Sequence, residues 1–179
     1  LAKDAPDINT RIRAIQQLAK MKRAESVDLL VDILEEPFKN AYATGDKQMQ
    51  DNWKVRQEAA KAFRAYAGDQ EVTRKVYTPL TKVMVFDPEE RVKGESALTL
   101  GIIGRDAEPD VKQRIADELI IRLNKTPVSK NLLAMMLVKA LGRLGDPKAL
   151  VHLIAVTQKG YLRIVKEEAK KSIEMLQSN

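Results

Sequence analysis

The residues able to do chemistry are few, and they favour binding over catalysis. Cysteine is absent, so the chain has neither a thiol nucleophile nor a thiolate ligand for a metal. The single histidine, His152, lies among apolar residues and has no Ser or Thr near it in a nucleophile pattern. We therefore predict no catalytic, cofactor-binding or metal-binding residues and expect the protein not to be an enzyme.

A set of basic residues could instead bind a partner. The formal net charge of +6 permits contact with nucleic acid, anionic lipid or an acidic protein. The basic residues are interleaved with acidic ones, and no row of aromatic side chains alternates with them, so the pattern favours a mixed-charge surface over a phosphate track. The predicted partner-binding residues of this set are Arg74, Lys75, Lys82, Arg114 and Arg122.

Amphipathic helices are the elements that position these residues. Of the 179 residues, 44% are apolar, 4% aromatic and 31% charged, a balance typical of helices rather than sheets. Ile8, Ile12, Ile15 and Leu18 recur at the spacing of one helix face, and the same spacing returns along the chain. The pattern predicts four helix pairs followed by a single helix.

Turn signals separate the predicted helices. Gly68-Asp69 and Gly145-Asp146 each place a residue that tolerates the left-handed conformation before a carboxylate able to cap the next helix. Pro79 lies inside an apolar stripe and predicts a kink, or a division after Thr78. The regular recurrence of helix pairs predicts one repeat domain over 1–179. Its predicted units are 7–37, 51–87, 88–126 and 127–160, with a closing helix at 161–177 and an inserted loop at 38–52.

The segments 55–60, 92–98 and 140–147 carry a family resemblance. The first two begin with a valine and a basic residue, with a small residue four or five positions on, and the third has leucine and glycine leading into Asp146-Pro147. In these features the chain resembles the HEAT-repeat family, especially the short bacterial HEAT-like repeats. The resemblance implies a right-handed α-solenoid of about four and a half helix pairs. It also implies that first helices line the convex face and second helices the concave face, which usually takes the ligand.

The resemblance predicts a non-catalytic scaffold or adaptor that binds a protein or peptide on the concave face. One alternative is an electrostatic nucleic-acid binder that uses the basic C-terminal third, including Lys166, Lys170 and Lys171. A minor alternative is an enzyme of bilin-lyase type, since HEAT-like repeats occur in such lyases.

Two other segments suggest contact with a protein. The predicted loop 38–52 is long for a compact array, and we predict that Phe38 and Tyr42 contribute to partner binding, although disorder of this loop is an equal alternative. The stretch 132–138 is apolar on every side of a predicted helix. Either neighbouring helices bury it, or Leu132 and Met136 anchor a partner or a second copy.

The sequence leaves the compartment and the oligomeric state open. It contains no apolar run long enough to span a membrane. The cytoplasm is slightly favoured, but a chain that begins with Leu1 is also compatible with a removed export signal.

Overall fold

The structure, a computed structural model, describes residues 7–39 and 52–178, which form ten α-helices and no strand. Two 3-10 helices are also present: Phe63–Tyr66 extends the helix Trp53–Ala62, and Pro147–Ala149 precedes the helix Leu150–Gln158. The α-helices are α1 (Ile8–Met21), α2 (Ala24–Leu34), α3 (Glu36–Lys39), α4 (Trp53–Ala62), α5 (Gln70–Phe86), α6 (Glu90–Gly104), α7 (Pro109–Lys125), α8 (Asn131–Leu144), α9 (Leu150–Gln158) and α10 (Arg163–Gln177).

The helices pack in neighbouring pairs, which confirms the predicted all-α helical repeat solenoid. The first helices of the pairs are α1, α4, α6 and α8, and α10 continues their layer. The second helices are α2, α5, α7 and α9. Helices of the first layer pack more extensively on one another than helices of the second layer do.

The predicted turn signals act at the helix ends. Gly68 and Gly145 have φ of 87° and 72°, the left-handed conformation that glycine adopts without strain. Asp69 caps α5 by accepting a hydrogen bond from the backbone N–H of Val72 at 3.0 Å. Pro79 does not divide its helix, because α5 continues from Gln70 to Phe86. Pro79 removes one backbone hydrogen-bond donor from the helix. The helix continues through it because buried residues such as Val76 and Leu80 pack on both sides of the proline.

A continuous apolar core lies between the two layers. The apolar stretch 132–138 is mostly part of this core, since Leu133, Ala134, Leu137 and Val138 are buried. Only Leu132, at 40% exposure, is a large exposed residue of that stretch. Burial by neighbouring helices is therefore the interpretation that the structure favours.

Close backbone contact explains the tight packing of the first layer. A Cβ atom added to Gly101 would lie 2.2 Å from the carbonyl oxygen of Ala140, so α6 and α8 approach at a point where a side chain does not fit. In the next interface, Ser172 of α10 lies against Gly142 of α8 and donates a hydrogen bond to the carbonyl of Val138 at 3.1 Å.

A buried ion pair joins the two layers. Arg56 of α4 donates through Nε and Nη2 to the two carboxylate oxygens of Asp87, at 2.8 and 3.1 Å. Both side chains are almost fully buried. Asp87 also accepts the backbone N–H of Glu89 at 2.8 Å, so the carboxylate fixes the turn that leads into α6.

Candidate functional site

The second helices carry the basic residues predicted from the sequence, and three of these residues are held by carboxylates. Arg74 of α5 pairs with Glu108 and with Asp110, the latter at 2.9 Å. Both carboxylates belong to the next helix pair. The Arg74 guanidinium lowers the pKa of Asp110, and these two carboxylates raise the pKa of Arg74.

Lys75 and Lys82 form ion pairs with carboxylates of the preceding helix pair, not of the next one. Lys75 Nζ lies 2.6 Å from Asp28 of α2, and Lys82 Nζ lies 3.1 Å from Glu35. Lys82 Nζ also lies 4.7 Å from the ring centre of Phe38, in the range of a cation–π contact. Phe38, predicted to begin the inserted loop, belongs to the short helix α3.

The remaining predicted residues do not join these into one cluster. Arg114 is exposed on α7, while Arg122 is half-buried near the end of the same helix. Tyr42 lies outside the described residues. The structure therefore spreads the predicted set along the second helices and uses part of it to bridge neighbouring pairs.

A cleft also lies on the first helices, whereas the resemblance implied that the ligand-binding face is formed by the second helices. It has a volume of about 470 Å³, and a neighbouring cleft of about 430 Å³ shares Arg105, Arg143 and Met175 with it. Side chains from α6, α8, α10 and the end of the α4 segment line the larger cleft. We call the two clefts together the first-helix groove.

The first-helix groove combines positive charge with an apolar floor. Leu98, Ile102 and Met175 supply apolar surface. The two acidic lining residues are Glu168 and Glu174, and the five basic ones are Arg64, Arg105, Lys139, Arg143 and Lys171.

Among the residues that the structure describes, four of the five basic residues have no carboxylate partner. Arg64 pairs with Glu95 and donates to the hydroxyl of Thr99 at 3.1 Å. Within 7–39 and 52–178, no ion pair forms at Arg105, Lys139, Arg143 or Lys171. This groove can therefore offer several charge-assisted hydrogen bonds to an anionic ligand.

Sequence reasoning gave only Lys171 of these groove residues a binding role, in the nucleic-acid alternative, and selected none of the others. Lys139 and Arg143 are four residues apart, on one face of α8, so their proximity was available from helical spacing. The floor residues Leu98 and Ile102 share the same spacing on α6. The signal was missed because the resemblance directed attention to the second helices.

The part of the chain that the structure describes contains no group of three or more His, Asp or Glu residues that could hold a metal ion. His152 is half-buried on α9, and its Nδ1 lies 3.2 Å from the Asn124 side-chain nitrogen. None of the described helices is long and apolar enough to span a membrane.

Comparison with known protein families finds a match in the C-terminal part of the chain. Residues 134–159 match the model of the PBS lyase HEAT-like repeat, a range that runs from within α8 to just past the end of α9. This stretch is similar to a HEAT-like repeat. This match confirms the resemblance, and together with the stacked helix pairs it supports a helical repeat scaffold. No curated protein matches the chain.

Proposed function

We propose that this HEAT-like repeat scaffold binds an acidic, partly apolar segment of a partner protein in the first-helix groove. The observation that carries the proposal is the set of four unpaired basic residues beside an apolar floor, Arg105, Lys139, Arg143 and Lys171. Carboxylates of a partner would pair with these cations, and apolar side chains would cover Leu98, Ile102 and Met175.

The contrast with the second helices supports this location. A partner that binds Arg74 or Lys75 must replace a carboxylate that each already contacts. Arg105 and Arg143 are exposed and require no such exchange. Binding at the second-helix residues predicted from the sequence remains a prediction, and the experiment below includes it.

A peptide fits the groove better than a nucleic acid does. Aromatic side chains that stack on bases are absent from the residues that line it. Glu168 and Glu174 would repel a continuous phosphate backbone, whereas a peptide can place carboxylates and apolar side chains separately.

We also propose that the role is non-catalytic, although the matched family is named for a lyase. Two hydroxyl groups line the groove, those of Ser172 and Ser178. Ser178 lies at the end of the last helix, and Ser172 is buried and donates to a backbone carbonyl. No histidine lines the groove. A bilin that stays attached to the purified protein after co-production would contradict this part of the proposal.

The test measures binding of a fluorescent synthetic peptide in which Glu and Leu alternate. The groove variant is Arg105→Glu/Arg143→Glu, and the matched control on the second-helix layer is Lys75→Glu/Arg114→Glu, two exposed residues of the set predicted from the sequence. We expect the groove variant to weaken binding about tenfold or more and the control to change it little. Circular dichroism checks that both variants keep their helicity.

Three outcomes would overturn the proposal. Equal loss in both variants would mean that net charge alone attracts the peptide. Loss only in the second-helix variant would place binding on the face predicted from the sequence. A single-stranded oligonucleotide that binds more tightly than the peptide, with a steep dependence on salt, would favour the nucleic-acid alternative.

A further inference from the structure

A small cavity between two neighbouring repeats lies apart from the first-helix groove. It has a volume of about 170 Å³ and is bounded by the start of α6, the end of α7 and the start of α8. The groove uses later residues of α6 and α8, so the two features lie toward opposite ends of these helices. We call it the inter-repeat cavity.

Four basic side chains and one acidic side chain line the inter-repeat cavity. The basic residues are Lys93, Arg122, Lys125 and Lys130, and the acidic residue is Glu90. Glu90 is already engaged, because one carboxylate oxygen lies 3.0 Å from Lys130 Nζ and the other accepts the backbone N–H of Leu133 at 3.2 Å. This carboxylate therefore leaves most of the positive charge uncompensated.

Arg122 supplies a buried donor that has no acceptor. Its Nε atom is inaccessible to solvent and makes no hydrogen bond. A buried guanidinium N–H without a partner is unfavourable, since its desolvation is not repaid by a hydrogen bond. Arg122 also lines the cavity, so an oxyanion bound there would lie beside its guanidinium.

The pKa of Lys93 reflects both its burial and the neighbouring basic residues of the cavity. Burial lowers its pKa, and the charges of Arg122 and Lys130 lower it further. Asp87 and Glu90 oppose this effect. Asp87 is held by Arg56, so its charge is largely balanced within its own ion pair. A bound dianion would stabilise the charged form of Lys93 and raise its pKa.

We propose that the inter-repeat cavity binds a phosphate monoester or inorganic phosphate, with Arg122 as the central ligand and Lys93 and Lys130 beside it. A dianion suits the cavity because a single carboxylate would leave several of the four cations uncompensated. The site goes beyond the proposed peptide groove, and it uses none of the same residues.

The test titrates the protein with inorganic phosphate and follows the Arg122 Nε–H signal and the Lys93 side chain by NMR. We expect saturable binding, a shifted Arg122 signal and a raised Lys93 pKa. Arg122→Gln and Lys130→Gln should each weaken binding, by about tenfold for Arg122→Gln. Lys130 is a surface residue, so its variant remains informative if Arg122→Gln does not fold.

Arg114→Gln is the control, because it removes an exposed guanidinium from the same helix without touching the cavity. It should bind phosphate as the wild type does. A phosphoserine peptide and free phosphate, compared at equal ionic strength, distinguish a protein-borne ligand from a free one. The proposal fails if all variants bind equally, if chloride at the same ionic strength gives the same shifts, or if a phosphodiester oligonucleotide binds Arg122 more tightly than either monoester.

Discussion

The two helix layers of this protein join neighbouring repeats by different means. In the first layer the backbones of α6 and α8 come into close contact at Gly101 and Ala140. In the second layer, exposed ion pairs such as Lys75 with Asp28 and Lys148 with Asp117 bridge the repeats. Close packing dominates in the first layer, which also has the ion pairs Arg64–Glu95 and Lys130–Glu90, whereas the second layer relies more on exposed charge pairs.

This difference determines which charges are available to a partner. Second-helix cations are partly occupied by carboxylates of neighbouring repeats, as Arg74 is by Asp110. Among the described residues, first-helix cations such as Arg105 and Arg143 do not form ion pairs with neighbouring repeats, and they line the first-helix groove. The lesson is that a basic residue count on a helix face does not measure its capacity to bind an anion.

The largest expected loss of stability comes from the ion pair that joins the layers. Arg56→Met should destabilise the protein by about 3–5 kcal/mol, because it leaves the buried carboxylate of Asp87 without its cation. Urea denaturation measures the change. Lys61→Met, on the same helix but exposed, is the control and should change stability little.

A loss no greater than that of the control would show that Asp87 finds another partner or that water reaches it. A double variant, Arg56→Met/Asp87→Leu, sharpens the result. It should be less destabilised than Arg56→Met alone, since no uncompensated charge remains.

The close contact of the first layer gives the second prediction. Gly101→Ala should destabilise the protein by about 1–3 kcal/mol, because the new Cβ would meet the backbone of Ala140 and α6 would have to move. Gly160→Ala is the control, since a Cβ there has open space around it. If the two variants unfold at the same urea concentration, close packing is not what holds the first layer.

Most of the fold could be predicted from the sequence because it depends on local patterns. Apolar spacing predicted the helices, and Gly68 and Gly145 marked turns that do have positive φ. The position of Pro79 in the sequence did not determine whether it would divide its helix. The structure shows that α5 continues past it, because packed residues lie on both sides of the proline.

The candidate site could not be predicted in the same way, because it depends on contacts between repeats. The sequence shows Arg74 as a basic residue, but its partners Glu108 and Asp110 lie in the next helix pair. The first-helix groove likewise forms only when several first helices stack. Such contacts depend on the rotation between repeats, which the helical period does not specify.

The smallest effect is expected at the exposed pairs of the second layer. Arg74→Gln should raise the pKa of Asp110 toward its ordinary value, because the hydrogen bond and charge of Arg74 hold it down. In the wild type this pair adds stability at neutral pH that is lost as the pH falls through the lowered pKa of Asp110. The variant should lack that component.

The measurement is an NMR titration of the Asp110 carboxyl carbon in both proteins, with Lys112→Gln as a control on the same helix. The pKa difference should shrink in high salt, since both side chains are exposed. If Asp110 titrates identically with and without Arg74, the pair does not form in solution. Arg74 would then be as free to bind an anion as Arg105, and the distinction between the two layers would not hold.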